Sequence, residues 1–192
     1  MEECRLTGDD IACLRGERLL FRRLSLALSS GEALHLAGPN GIGKSSLIRI
    51  LAGLRRPYAG VINRMGAIGL LDERPVLDEH LPLGKALDFW SRIDASAQSH
   101  WEQLGLEPLA DVPVRYLSTG QRKRAALARL AGQGAPIWLL DEPLNGLDSD
   151  AVATCESMVA QHCASGGIAI IASHQPFAMP GLTKLMLGEY AA

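Results

Sequence analysis

At 192 residues the chain is long enough for one domain with a sizeable core, and 47% hydrophobic with 21% charged residues is an ordinary globular composition. A net charge of −2 argues against a nucleic-acid binder, whose domain is usually basic. No apolar run approaches the roughly 18 residues needed to span a bilayer, and the start, MEECRLTGDD, lacks the basic-then-apolar order of a secretory signal, so a cytoplasmic chain is expected.

In chain order, ALHLA (33–37) reads as a buried strand, and Leu47, Ile50, Leu51 and Leu54 then recur at helical spacing. Between them GPNGIGKS, Gly38 to Ser45, fits G-x-x-x-x-G-K-[ST] at every fixed position, in the strand-to-helix context the motif requires. Glycines there let backbone N–H groups curl around phosphate oxygens while the following helix points its positive end at them. Gly38, Pro39, Asn40, Gly41, Ile42, Gly43, Lys44, Ser45 and Ser46 are therefore the expected nucleotide-binding residues. Lys44 is expected to reach the β- and γ-phosphates and the Ser45 hydroxyl to hold Mg²⁺.

GLRRPYAG breaks the helix, residues 61–71 read as an extended segment weakened or bent by Arg64 and Gly66, and residues 78–116 turn helix-rich with Pro and Gly breaks. We read one domain, an α/β core of about 1–77 and 117–192 with a small helical lobe of about 78–116 inserted in it. IWLL (137–140) and IAIIA (168–172) are continuous apolar runs, the mark of parallel strands covered on both faces, and a helix of about 14 residues is expected between them from near Ser149. Asp141 ends the first of these strands, where open α/β sheets gather ligands, and is the second expected Mg²⁺ group. Glu142 follows as a candidate general base, an arrangement that favours hydrolysis over phosphoryl transfer to a substrate. The four cysteines show no CxxC spacing and are expected to be buried or bystander thiols. The neighbours His162 and Cys163, a pair that could in principle hold a metal or haem, are expected to be structural because they end a helix-like segment.

YLSTGQRKRAALARL (116–130) sets a Ser-Thr-Gly-Gln turn before a helix, offering a hydroxyl, backbone N–H groups and a positive dipole end, a second anion site. The basic run Arg122-Lys123-Arg124 after it is expected to be a solvated helix face. Read with the two earlier motifs, LSTGQ (117–121) resembles the LSGGQ motif of the ABC ATPase family, and the likeness covers nearly the whole chain from Leu6 to about Gly188. The resemblance implies a P-loop NTPase fold, Mg²⁺ and ATP as cofactors, and a head-to-tail homodimer. Ser118, Thr119, Gly120, Gln121 and Asp148 (the last in NGLD, 145–148) would there contact the ATP held by Lys44 of the other subunit. It also implies a catalytic set of Lys44, Glu142 and a switch histidine, His174.

The chain departs from that family twice. Asp72, Glu73 and Arg74 stand near the usual coupling glutamine, and Cys13 or Arg15 near the usual adenine-stacking aromatic, so loose base selectivity is expected. The wording of LGLEPLADVPVRYLSTGQ, WLLDEPLNGLD and SHQP resembles one branch, the ATP-binding subunits of cytochrome c maturation haem exporters. That branch implies a peripheral place on the cytoplasmic face of the inner membrane, integral membrane partners and a link to a periplasmic haem chaperone. The ATPase of another exporter and an iron–sulfur scaffold type of assembly ATPase are the alternatives.

Overall fold

A strand with both faces covered reads as a nearly continuous apolar run, and in the computed structural model every residue of ALHLA, IWLLD and IAIIA is buried. The structure describes residues 3–72, 76–94 and 100–191. The chain runs β1 (Arg5–Arg15), β2 (Arg18–Ser29), β3 (Ala33–Ala37), α1 (Lys44–Leu51), β4 (Ala59–Met65), β5 (Ile68–Leu71), α2 (Leu83–Ile93), α3 (Thr119–Gly132), β6 (Ile137–Asp141), α4 (Ser149–Ala164), β7 (Ile168–Ala172) and β8 (Thr183–Met186). Short 3₁₀ turns add Glu107–Leu109, Val114–Tyr116 and Leu187–Tyr190. A five-stranded parallel sheet in the order β5-β6-β7-β3-β8 carries the site, and an antiparallel sheet β2-β1-β4 covers one side of it.

The period-2 alternation of each central strand divides the interior. Leu36, Leu139 and Ile170 meet α1 (Leu47, Ile50, Leu51) and the antiparallel sheet (Leu6, Ile11, Phe21, Leu24). Trp138, Leu140, Ala169 and Ile171 face the other way, onto Leu127 and Leu130 of α3 and Cys155 and Val159 of α4. Leu83 and Leu87 of α2, with Leu104, Leu106 and Val114, belong to this second cluster, so residues 78–116 share a core with the sheet. Fully burying each such Leu or Ile is worth roughly 1.5–3 kcal/mol.

Several expectations change. Residues 61–71 form two strands in different sheets, β4 on β1 and β5 on β6. The switch falls at Gly66, whose φ of 118° and whose missing side chain (a Cβ would lie 2.9 Å from Pro136 Cγ) make the tight exit possible. Leu54 lies beyond the end of α1 and is exposed. The basic run is no solvated face either. Lys123 is buried, Arg122 donates to the Arg115 carbonyl (2.6 Å) and Arg124 to the Leu104 carbonyl (2.9 Å), so the run ties α3 to the preceding lobe.

All four cysteines are buried, and burial pushes the Cys155 thiol up to about 12 and Cys163 to about 11. His162 stacks on Trp138 (centroids 3.9 Å apart) and its Nε2 lies 3.2 Å from the Ile168 carbonyl. Burial holds the His162 pKa below its ordinary 6.5, against a smaller opposing effect of backbone hydrogen bonds. A lowered histidine pKa means the unfolded chain takes up the proton first as pH falls. The stability tied to neutral His162 is therefore complete above about pH 6.5 and is lost between there and the lower folded-state value. Thermal melts should show a Tm that is flat above neutrality and falls on acidification. His162→Phe, which keeps a ring on Trp138, should fall less steeply over the same range.

Candidate active site

The phosphate loop follows β3 because its glycines adopt conformations closed to other residues. Gly38, Gly41 and Gly43 have φ of 150°, 79° and 119°, and a Cβ on Gly43 would crowd Phe21 (3.1 Å). Lys44, the first residue of α1, donates from Nζ to the carbonyls of Gly38 (2.7 Å) and Pro39 (3.3 Å) and lies 3.6 Å from Glu142 Oε1. Next to it Ser45 Oγ donates to Asp141 Oδ1 (3.0 Å), joining two groups 96 residues apart. Parallel register explains the meeting, since β6 and β3 both flank β7 and end on the same edge of the sheet.

Glu142 stands one residue past β6 with a φ of 47°, a left-handed conformation that costs a non-glycine residue about 1–3 kcal/mol and clusters at functional sites. Its N–H donates to the Ala172 carbonyl (2.7 Å), fixing the backbone. Its Oε2 lies 2.8 Å from His174 Nδ1. Lys44, Ser45, Ser46, Asn40, Gly41, Gly43, Glu142 and His174 thus line one cavity of about 280 Å³. Ile42 turns inward instead and packs on the core. Arg15, the last residue of β1, and Leu20 of β2 also line the cavity, whereas Cys13 is buried in the core. Asn145 also lines the cavity, with Oδ1 accepting from Gln175 Nε2 at 3.3 Å. Sequence reading gave Asn145 no role of its own, and only its place in NGLD marked it.

The segment 118–121 and Asp148 do not line this cavity. Ser118 caps α3 through a reciprocal box: its Oγ accepts from the Gln121 N–H (3.2 Å) and Gln121 Oε1 accepts from the Ser118 N–H (2.8 Å). Asp148 caps α4 by accepting from the Ala151 N–H (2.9 Å). The two capped turns touch, because a Cβ on Gly120 would lie 2.4 Å from the Gly146 carbonyl oxygen and Thr119 packs on Gly146. Asp72 lines a neighbouring groove that also reaches Thr119, Glu142 and Asn145, and Glu73 and Arg74 lie outside the described residues.

The family model described as ABC transporter matches residues 21–145. The chain belongs to the ABC transporter family. It is 60% identical, over 99% of both chains, to the cytochrome c biogenesis ATP-binding export protein CcmA of Novosphingobium aromaticivorans. It is 52% identical to the protein of that name from Sphingopyxis alaskensis, covering 97% of this chain and 98% of the other. These relatives represent the branch expected from the wording of its motifs. The same fold is seen in a putative ABC transporter ATP-binding protein from Pyrococcus furiosus (TM-score 0.84, 21% identity, 98% and 100% of the two chains). It recurs in an ATP-binding cassette solved as a dimer in a post-hydrolysis state with ADP and Pi (TM-score 0.79, 20% identity, 95% of each chain). As in the family, ATP binding and hydrolysis coupled to transport are its activity. Among the described residues no helix is long and apolar enough to cross a membrane.

Proposed function

We propose that this chain hydrolyses ATP as the peripheral subunit of a membrane complex that exports or delivers haem for cytochrome c biogenesis. It works on the cytoplasmic face of the inner membrane, bound to integral membrane subunits and functionally linked to a periplasmic haem chaperone. The convergence of Lys44, Ser45, Asp141, Glu142 and His174 at one sheet edge carries the ATPase part, and the full-length relatives support the cytochrome c role.

In this reading the phosphate loop cradles the triphosphate, and Lys44 trades its own loop carbonyls for β- and γ-phosphate oxygens. Glu142 orients a water and takes its proton as the water attacks the γ-phosphorus. His174, whose Nδ1 lies 2.8 Å from Glu142 Oε2, holds that carboxylate in line. The Ser45 hydroxyl beside the Asp141 carboxylate is a hard-oxygen pair that suits Mg²⁺, which when bound would be held there and would neutralise phosphate charge. Ser118, Thr119, Gly120, Gln121 and Asp148, at the N-termini of α3 and α4, complete the site of the other subunit in a head-to-tail homodimer.

Arg15, which lines the cavity, stacks on the nucleobase when ATP is bound. A guanidinium plane reads no base edge, so KM for GTP is expected within about threefold of that for ATP, and Arg15→Ala should raise both by about five- to tenfold. A steady-state assay with both nucleotides checks this. The cellular role is tested by staining membranes for covalently bound haem in source cells that lack the chain. The wild-type chain should restore c-type cytochromes and Lys44→Ala should not. Full staining without the chain would refute the role.

A further inference from the structure

His35 is the one polar side chain in the buried strand ALHLA, only 6% exposed, at a position where its neighbours are leucines. A buried imidazole is costly unless it is hydrogen-bonded. Its bond is to the Ser173 carbonyl, with Nε2 at 3.2 Å. The paired register of β3 with β7 ends at Leu36 and Ala172, so Ser173 is one residue past it and its carbonyl is met by a side chain. Ser173 is itself 1% exposed and is fixed from two more directions. Its N–H donates to the Leu36 carbonyl (3.3 Å), and its Oγ accepts from the Gln175 N–H (2.9 Å). The next residue is His174, whose Nδ1 meets Glu142 at 2.8 Å, while the Glu142 N–H donates to the Ala172 carbonyl.

We propose that His35 is a positioning residue for the ATPase reaction: its Nε2–H anchors the Ser173 carbonyl and so holds His174 against Glu142. The inference rests on the ATPase reading above and adds to it a residue that touches neither nucleotide nor water. Burial holds the His35 pKa below its usual value, opposed by the bond to Ser173, with Lys184 on β8, Lys44 and Glu142 as the charges that act on the ring. The ring is therefore neutral at working pH, and the proton it has belongs on Nε2, facing a carbonyl that can only accept.

The test uses the purified full chain with His35→Leu, His35→Gln, His174→Ala and the double variant His35→Leu/His174→Ala. Leucine fits the strand but donates nothing, whereas the Gln amide reaches the same place with an N–H. His35→Leu should therefore lower kcat about tenfold with KM for ATP within about twofold, and His35→Gln should recover all but about threefold. In the His174→Ala background, His35→Leu should cause no further loss. An equal loss in both backgrounds, a glutamine variant no better than leucine, or unchanged kcat would each overturn the inference. Wild-type protein without ATP turnover would overturn the ATPase reading and this inference with it, so the two failures are distinct.

Discussion

Glu142→Gln should lower ATP turnover by at least about 100-fold, the low end of what a positioned general base contributes. The change keeps size and the bond to His174 but removes the proton acceptor, so nucleotide affinity should stay within about threefold. Because ATP bound between two subunits is then hydrolysed too slowly to release them, size-exclusion chromatography with ATP should show a persistent dimer. Turnover near wild type, or ATP binding lost along with it, would remove Glu142 from the proposed role. The strained φ of 47° sharpens the expectation, since a position that only catalysis requires is free to relax in other variants. Glu142→Gly should accordingly melt no lower than wild type while being equally inactive.

Gly120→Ala is the second large effect. Its new methyl would lie 2.4 Å from the Gly146 carbonyl oxygen, so the capped turn at Ser118 and the NGLD turn must both shift. The 118–121 segment does not line the cavity around Lys44, and of the NGLD turn only Asn145 does, so monomer binding of ATP should survive. Hydrolysis should fall at least about thirtyfold, as expected when groups held at the transition state move by an ångström. The variant also separates composite sites from self-contained ones. A Gly120→Ala chain keeps an intact Lys44, and a Lys44→Ala chain keeps an intact 118–121 segment. Mixed in equal amounts, each inactive alone, they should recover about a quarter of wild-type activity, because half of the random dimers hold one whole site of two. No recovery on mixing would mean that each chain's site works without its partner.

Much of this was legible in the sequence. Strands buried on both faces announce themselves as unbroken apolar runs, so β3, β6 and β7 were read to within one residue, and α4 begins at Ser149 as expected but runs to 16 residues. The phosphate loop and Asp141-Glu142 carry their chemistry in consecutive residues. The antiparallel sheet was not legible. β1 and β2 carry charge pairs such as Asp9-Asp10 and Arg22-Arg23, and irregular register with positive φ at Asp10 and Arg23 breaks the alternation that marks a half-buried strand. Nor does any spacing reveal that Arg122 and Arg124 bond back to the lobe, or that His35 spans 138 residues to Ser173, because such contacts exist only after the chain has folded.

The most direct measurement is affinity purification of the Glu142→Gln chain from gently solubilised native membranes with ATP, followed by mass spectrometry. The account predicts that integral haem-handling subunits come down with it, together with the periplasmic haem chaperone. Recovery of a different permease would contradict the cytochrome c role while keeping the ATPase mechanism, and a chain that stays with soluble partners would contradict the transporter assignment itself.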